Sequence, residues 1–412
     1  MIASSVVSTL LAVACTGSDD AASRDPAPEA ADEDGVIMSA DLSEARQLWT
    51  VSIEPTLSIG VFEGAEAEQL VNVSDATVLV DGSVVVADVG AASVRVFDER
   101  GAFRTELGGR GSGPGEFRVP ADVTSHPDGS VSVFDDALYR VTTLSPDGAL
   151  AGVHSFGLDG LMKWVDPPLY PASGWVLANG DVVLRLQEKA KPPASGSFRE
   201  AGGALRVSSD GSEGEVLATF ADREQVLVPW DFGTTTMMVP MPPPLGPRVV
   251  WADQPGGNGF CTGDSGTGRV QCIGSEGFDR TLILPAPDGE VTPDDPQVRR
   301  WRVEEETALL GKISPDEARR FLDRVPLPAR LPAFVALHLD TAGNLWVQPP
   351  AGRSEGPIRH HVFGVDGTPL GWVDLPRMRV LEIGEGYVLG VQEDEFEVQY
   401  VRRFELMRSD PR

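Results

Sequence analysis

The chain has 412 residues, 41% of them hydrophobic, so it is long enough to bury one large core or two ordinary ones. Its formal net charge is −28, with 62 acidic against 34 basic residues. A nucleic-acid binder needs a positive face to displace phosphate counterions, and this balance argues against that class and against attraction to anionic membrane surfaces. Gly (45) and Pro (33) are plentiful, as expected for many short strands joined by tight turns.

The chain opens on an apolar or small run from Ile2 to Ala14, too short to span a bilayer but suited to a signal-peptide hydrophobic region. It ends in LAVACTGS, with Cys15 after small residues. That sequence resembles the lipobox of bacterial lipoproteins, although Ala12 stands where such boxes usually carry Leu. The resemblance implies lipidation of Cys15 and cleavage, with residues 1–15 as the signal segment; plain secretion is the alternative. Residues 16–45 are rich in Ser, Ala, Pro, Asp and Glu and read as a disordered acidic linker. The folded domain is expected over 46–412.

The stretch Ser83 to Val123 alternates apolar and polar residues and is cut by turns, and the same order restarts at DGSVSVFDDALYRVTTLSPDGAL. Asp-Gly or Asn-Gly turns recur at Asp81-Gly82, Asp128-Gly129 and Asn179-Gly180. Period-two alternation with regular turns is the all-β signal, and a period of this length means one four-stranded unit copied around a ring. Six blades are expected, at about 66–107, 114–156, 170–220, 226–285 and 330–375, with the sixth from MRVLEIGEGYVLGVQ to the end. The Pro-rich run VPMPPPLGP inside the fourth cannot be a central strand. The last blade supplies three strands, and Arg46 to Ile53 is an orphan strand, so the N-terminal strand is expected to complete it and close the ring. Cap signals at Thr292-Pro293-Asp294-Asp295 and Ser314-Pro315-Asp316-Glu317 predict one helical insert, with helices at about 293–310 and 315–324.

The segments VVVADVGAASVRVFDERGAF, GGRGSGPGEFRVPADV and DGSVSVFDD resemble a six-bladed NHL-type β-propeller. The chain is also similar to uncharacterised six-bladed propeller lipoproteins of bacteria, which share the helical insert, a GNLWV strand and a closing blade like DEFEVQYVRRFEL. The resemblance implies the fold, and a function only broadly: binding, scaffolding or, in some relatives, catalysis.

Cys261 and Cys272 flank CTGDSGTGRVQC. A two-residue turn at Gly266-Thr267 would set them opposite each other, in reach of a disulfide that an exported chain can keep. The GDSG run mimics a serine-protease nucleophile loop, but no histidine has the setting such a serine needs. The run Gly108 to Gly115 leads into Pro and a strand rather than a helix, so it reads as a blade connection and not a phosphate cradle. His360 and His361 are adjacent in a strand, so their rings point to opposite faces and cannot share a metal. Most tryptophans read as inter-blade packing.

Catalytic propellers usually place their groups at the axial channel, and the matching positions here are near Asp75, Asp122, Arg248 and Glu382. No cofactor is expected, with Ca²⁺ at the channel acids as the one candidate. The primary expectation is an exported, lipid-anchored monomer on the periplasmic or surface side of the envelope. It would bind a protein, peptide or glycan through one face and touch the membrane only through its anchor. The alternative is a metal-dependent lactonase- or lyase-type enzyme using the channel.

Overall fold

A computed structural model of the protein describes residues 36–37, 46–189, 192–232, 235–274, 279–309, 313–350 and 356–409. The signal segment, Cys15 and all of the 16–45 linker except Val36–Ile37 lie outside the described residues.

The strands form six sheets; in five of them the four strands of the blade are antiparallel and hydrogen-bonded in sequence order from the axis outward, and the sixth takes its outermost strand from the N-terminus. Blade one is Val73–Val78, Val84–Asp88, Ser93–Phe97 and Phe103–Gly108. Blade two is Pro120–Ser125, Val131–Asp135, Arg140–Leu144 and Leu150–Ser155. The second strands Val84–Asp88 and Val131–Asp135 are buried at every residue, because both faces of a blade are covered by neighbours. The outer strand Phe103–Gly108 alternates between partly buried and exposed residues, because its outer edge meets water. Gly82, Gly129 and Gly180 all adopt φ near +80° in the turns between first and second strands. There each N–H donates to the carbonyl three residues back, at 2.9 Å.

The hydrophobic clusters show how the ring is held. Six of them join consecutive blades, one to two, two to three, and so on to six with one. The cluster between blades six and one contains Val73, Val84 and Phe97 from one and Leu389, Val391 and Val401 from the other, together with Leu57 and Ile59. Blade six, Arg379–Gly384, Tyr387–Glu393 and Gln399–Arg408, is completed from the other end of the chain. Trp49–Val51 pairs antiparallel with 406–408, and Leu57–Ile59 with 401–403, on the same strand. The chain is a six-bladed β-propeller closed by its N-terminal strand, with one short helical insert.

Blades three and four differ from the sequence reading. Val226 to Met241 does not start blade four. It extends the fourth strand of blade three, Gly214–Phe232, into a hairpin with Thr235–Met241. Pro240 sits in this edge strand, where its missing N–H costs no ladder bond. Blade four is Val249–Asp253, Gly259–Asp264, Arg269–Gly274 and Asp279–Ile283, with Val36–Ile37 added parallel to its edge. Cys261 and Cys272 face each other in register with their sulfurs at bonding distance. The turn between them is longer than predicted: it runs from Ser265 to Gly268, and Gly268 rather than Gly266 takes positive φ, +75°.

Between blades four and five come α-helices Pro296–Leu309 and Pro315–Leu322. The first starts three residues later than Thr292-Pro293 suggested; Asp295 accepts the Gln297 N–H at 2.8 Å, and Pro296 takes the first helical position. The second has the predicted capping box of Ser314 and Glu317. The helices pack on the hairpin, not on a bare blade. Phe321, Leu322 and Val325 meet Val228, Trp230 and Met241, with the Trp230 and Phe321 rings 4.7 Å apart. Arg324 donates to Pro229 O at 2.7 Å and pairs with Asp231 at 3.2 Å.

Hairpin and helices therefore form one unit with its own small core. Phe321→Ala should cost about 3 kcal/mol of that unit's stability. Hydrogen exchange should accelerate together in 226–241 and 296–322 while blades one and two keep their protection; acceleration of one segment alone would contradict a shared core.

Candidate functional site

A four-stranded blade alternates direction, so its fourth strand ends on the face where the next blade's first strand begins. All inter-blade connections, and the turns between second and third strands, thus share one face. That face carries the hairpin 226–241, both helices of the insert and the short helix Leu158–Met162. Among the described residues the opposite face carries only turns such as those at Gly82 and Gly129.

The first strands line the axis. Asp75 on blade one accepts the Val123 N–H of blade two at 2.9 Å. Asp122 on blade two accepts the Val176 N–H of blade three at 3.4 Å and the Thr124 hydroxyl at 3.1 Å. Glu382 on blade six accepts the Thr77 hydroxyl of blade one at 2.5 Å, the Val78 N–H at 3.3 Å, and the Tyr387 hydroxyl. Each carboxylate ties one blade to the next through a polar group that the neighbour's first strand leaves pointing at the axis.

These acids also feel one another. Burial, then the charge of Asp253, pushes Asp75 up to about 8. Asp122 is raised well above the usual carboxylate range by burial, then by Asp75 and Asp253. Burial likewise raises Asp253 and Glu382. Asp253 ends the first strand of blade four. Sequence reading missed it because the search looked where first strands begin and Asp253 is where one ends.

Arg248 does not join the acids. It immediately precedes the first strand of blade four and donates to Val335 O at 3.0 Å, and the charges that act on it most strongly are those of Arg223 and Arg185. Asp75, Asp122 and Glu382 thus belong with Asp253, and Arg248 with two other arginines.

Among these acids Asp75, held up at about 8, could donate a proton to a bound molecule. The acids fit a Ca²⁺ cage poorly: Asp75, Asp122 and Glu382 already spend oxygens on neighbouring blades. Among the described residues no three His, Cys, Asp or Glu are placed to hold one metal ion.

The remaining motifs resolve into packing. Ser265 of the GDSG run is buried, and its hydroxyl accepts the Arg248 N–H at 3.1 Å. In the glycine-rich connection, Glu116 accepts the Gly113 N–H at 2.7 Å, and Arg140 donates to the carbonyls of Ser112, Gly113 and Glu116, so a carboxylate of the chain sits where an anion would. Asp88 and Asp135, at matching ends of second strands, each gather backbone N–H groups of the entering loop, Val71 with Asn72 and Arg118 with Val119. His360 is buried with its ring 5.9 Å from His338, and burial depresses them to about 4 and about 3. Trp175 and Trp251 form an edge-to-face pair between blades three and four, and Trp346 stacks on Trp49 between five and six.

Residues 66–145 match the model of a family, DUF5128, described as a 6-bladed beta-propeller. No curated protein matches the chain. Solved structures similar to it include an exported protein, given as putative, from Bacteroides fragilis, at 10% identity and TM-score 0.47, covering 91% of this chain and 100% of that one. A DUF4221 family member from Bacteroides vulgatus is similar at 10% identity and TM-score 0.49, covering 88% and 99%. A gluconolactonase from Xanthomonas campestris is similar at 11% identity and TM-score 0.40, covering 88% and 98%.

Asp75 gives a test of the axial electrostatics. Its folded pKa lies above its unfolded value, so between about pH 4 and 8 the folded form binds the extra proton, and the stability this group contributes falls as pH rises through that window. Asp75→Asn keeps an acceptor for Val123 and removes the charge. It should match the wild type near pH 4 and exceed it by about 1 kcal/mol or more above pH 8. Urea melts at pH 4.5, 7 and 9 measure this, and a difference independent of pH would contradict it.

Proposed function

We propose that this protein is an exported binding or scaffold module that recognises a protein, peptide or glycan partner on the face of the inter-blade connections. The observation that carries this is the asymmetry of the two faces. One is built out by a hairpin and two helices with their own core, while among the described residues the other has only tight turns. Met238 and Val303 are exposed on that build-out. Lipid anchoring at Cys15 would leave this face free to meet a partner across the acidic linker.

Met238→Glu with Val303→Glu should leave the melting temperature within about 2 °C of wild type, since both side chains are exposed. The pair should lower capture of envelope proteins and glycans by purified protein at least tenfold. Val80→Glu, on an exposed turn of the opposite face, should leave capture intact. Equal capture by all three proteins would exclude this face as the binding surface.

Export also bears on Cys261 and Cys272. In an oxidising compartment they should be joined, and alkylation of denatured, unreduced protein from the envelope should label neither. Labelling of both would contradict export to such a compartment.

The channel enzyme is the second reading, favoured by the raised Asp75 carboxyl. It requires lactone hydrolysis or lyase activity that falls when Asp75 becomes Asn.

A further inference from the structure

We infer that Arg223 and Arg248 form a binding site for an oxyanion group, a carboxylate or a phosphate, at the channel mouth between blades three and four. The site rests on the proposed binding face only for its location.

The local backbone creates it. Where the third and fourth strands of blade three pair, Arg199 faces Glu224 and Ala201 faces Ala221, so Asp222 and Arg223 together oppose Glu200. Such a bulge re-aims side chains. Asp222 turns inward and is fully buried: it pairs with Arg185 at 2.6 Å and accepts the Val249 N–H at 3.3 Å. Asp264 is held by both terminal nitrogens of Arg199, at 2.9 and 3.2 Å. The two nearby aspartates are therefore already spent.

Arg223 and Arg248 are left over. Among the described residues neither has a carboxylate within ion-pair distance. Glu200 acts on Arg223 only through space. Arg248 uses Nη2 on Val335 O and keeps its other guanidinium N–H groups for something else. Its side chain is exposed although it stands at the ring's centre, so a small ligand can reach it. The Glu224 N–H donates to Pro247 O at 2.9 Å and Asp222 accepts the Val249 N–H, so the two backbones run side by side and bring the like charges of Arg223 and Arg248 near enough to repel. An oxyanion between them would relieve that repulsion and accept bidentate bonds from planar guanidinium forks.

The net charge of −28 does not forbid this. Screening limits the reach of distant charges to about 8 Å at physiological salt, so the nearest groups decide. It does mean that the protein's overall field gives no steering, and selection comes from short-range hydrogen bonds.

The test titrates inorganic phosphate and, separately, succinate into the purified protein, against chloride at equal ionic strength, by calorimetry and thermal melting. At least one oxyanion should bind saturably, with Kd of about 1 mM or tighter. Arg223→Gln with Arg248→Gln should weaken it at least tenfold, and Arg248→Lys should restore part of the loss. Arg104→Gln, an exposed arginine paired with Asp81, should change nothing. Phosphate alone binding assigns a phosphate ligand, and succinate alone a carboxylate. Should the double variant fail to fold, Arg223→Gln alone serves, because that side chain makes no hydrogen bond to the described residues. Absence of binding beyond chloride, or equal binding by wild type and variant, overturns the site. The binding-face reading would survive that outcome, since its own readout is capture lost on altering Met238 and Val303.

Discussion

Everything in this structure depends on the last blade meeting the first. Each blade is covered on both sides by neighbours, and this is why its middle strands can be apolar on both faces. An open ring would expose the apolar faces gathered around Val73, Val84, Leu389 and Val401. Fully burying each Val or Leu side chain is worth about 1.5–3 kcal/mol, so an open form would forfeit many such terms at once. Closure rests on pairing between residues more than 340 positions apart, such as Val51 with Leu406. The entropic cost of so long a loop grows only with the logarithm of its length, and the buried cluster offsets it.

The N-terminal segment does more than add one strand. Val36–Ile37 pairs with the edge of blade four, Gln47 bridges Trp372 on blade five, and Trp49–Val51 and Leu57–Ile59 pair along blade six. Its described residues thus meet the outer edges of three consecutive blades. Covering those edges removes rows of unpaired N–H and C=O groups that could template association with another chain.

Closure also decides what stands at the axis. Six first strands converge there, and their polar backbone groups need partners that the next strand cannot supply. Asp75, Asp122 and Glu382 provide them, at the cost of bringing carboxylates together in a confined space. Burial in that space, and then the charge of Asp253, raises Asp75 to about 8. At the mouth between blades three and four the balance reverses, because Asp222 and Asp264 are consumed structurally and two arginines are not. A strongly acidic chain thus presents cationic groups at one point of its more elaborate face.

Much of this was legible in the sequence, because turns and alternation are local. Gly82, Gly129 and Gly180 marked one turn series, the helix cap at Ser314 could be read directly, and the orphan strand at Arg46 announced closure. The hairpin was not legible. Val226 to Met241 has the alternation of a new strand, and nothing local says that it continues the strand before it. The axial acids were found by position only where strands begin, which caught Asp75 and Asp122 and missed Asp253. Arg248 was placed at the axis, but its company was not foreseen, because Asp222 and Arg223 owe their directions to a bulge set by pairing with a distant strand.

The central claim is that residues 46–59 close the ring. Thermal unfolding of chains beginning at residue 46 and at residue 61 tests it most directly. The account predicts that the first melts within a few degrees of the full-length chain. The second should melt at least 10 °C lower, with hydrogen exchange rising first in 399–408 and in the first strand of blade one. Coincident melting of both chains would show that the ring closes without this segment and would contradict the account.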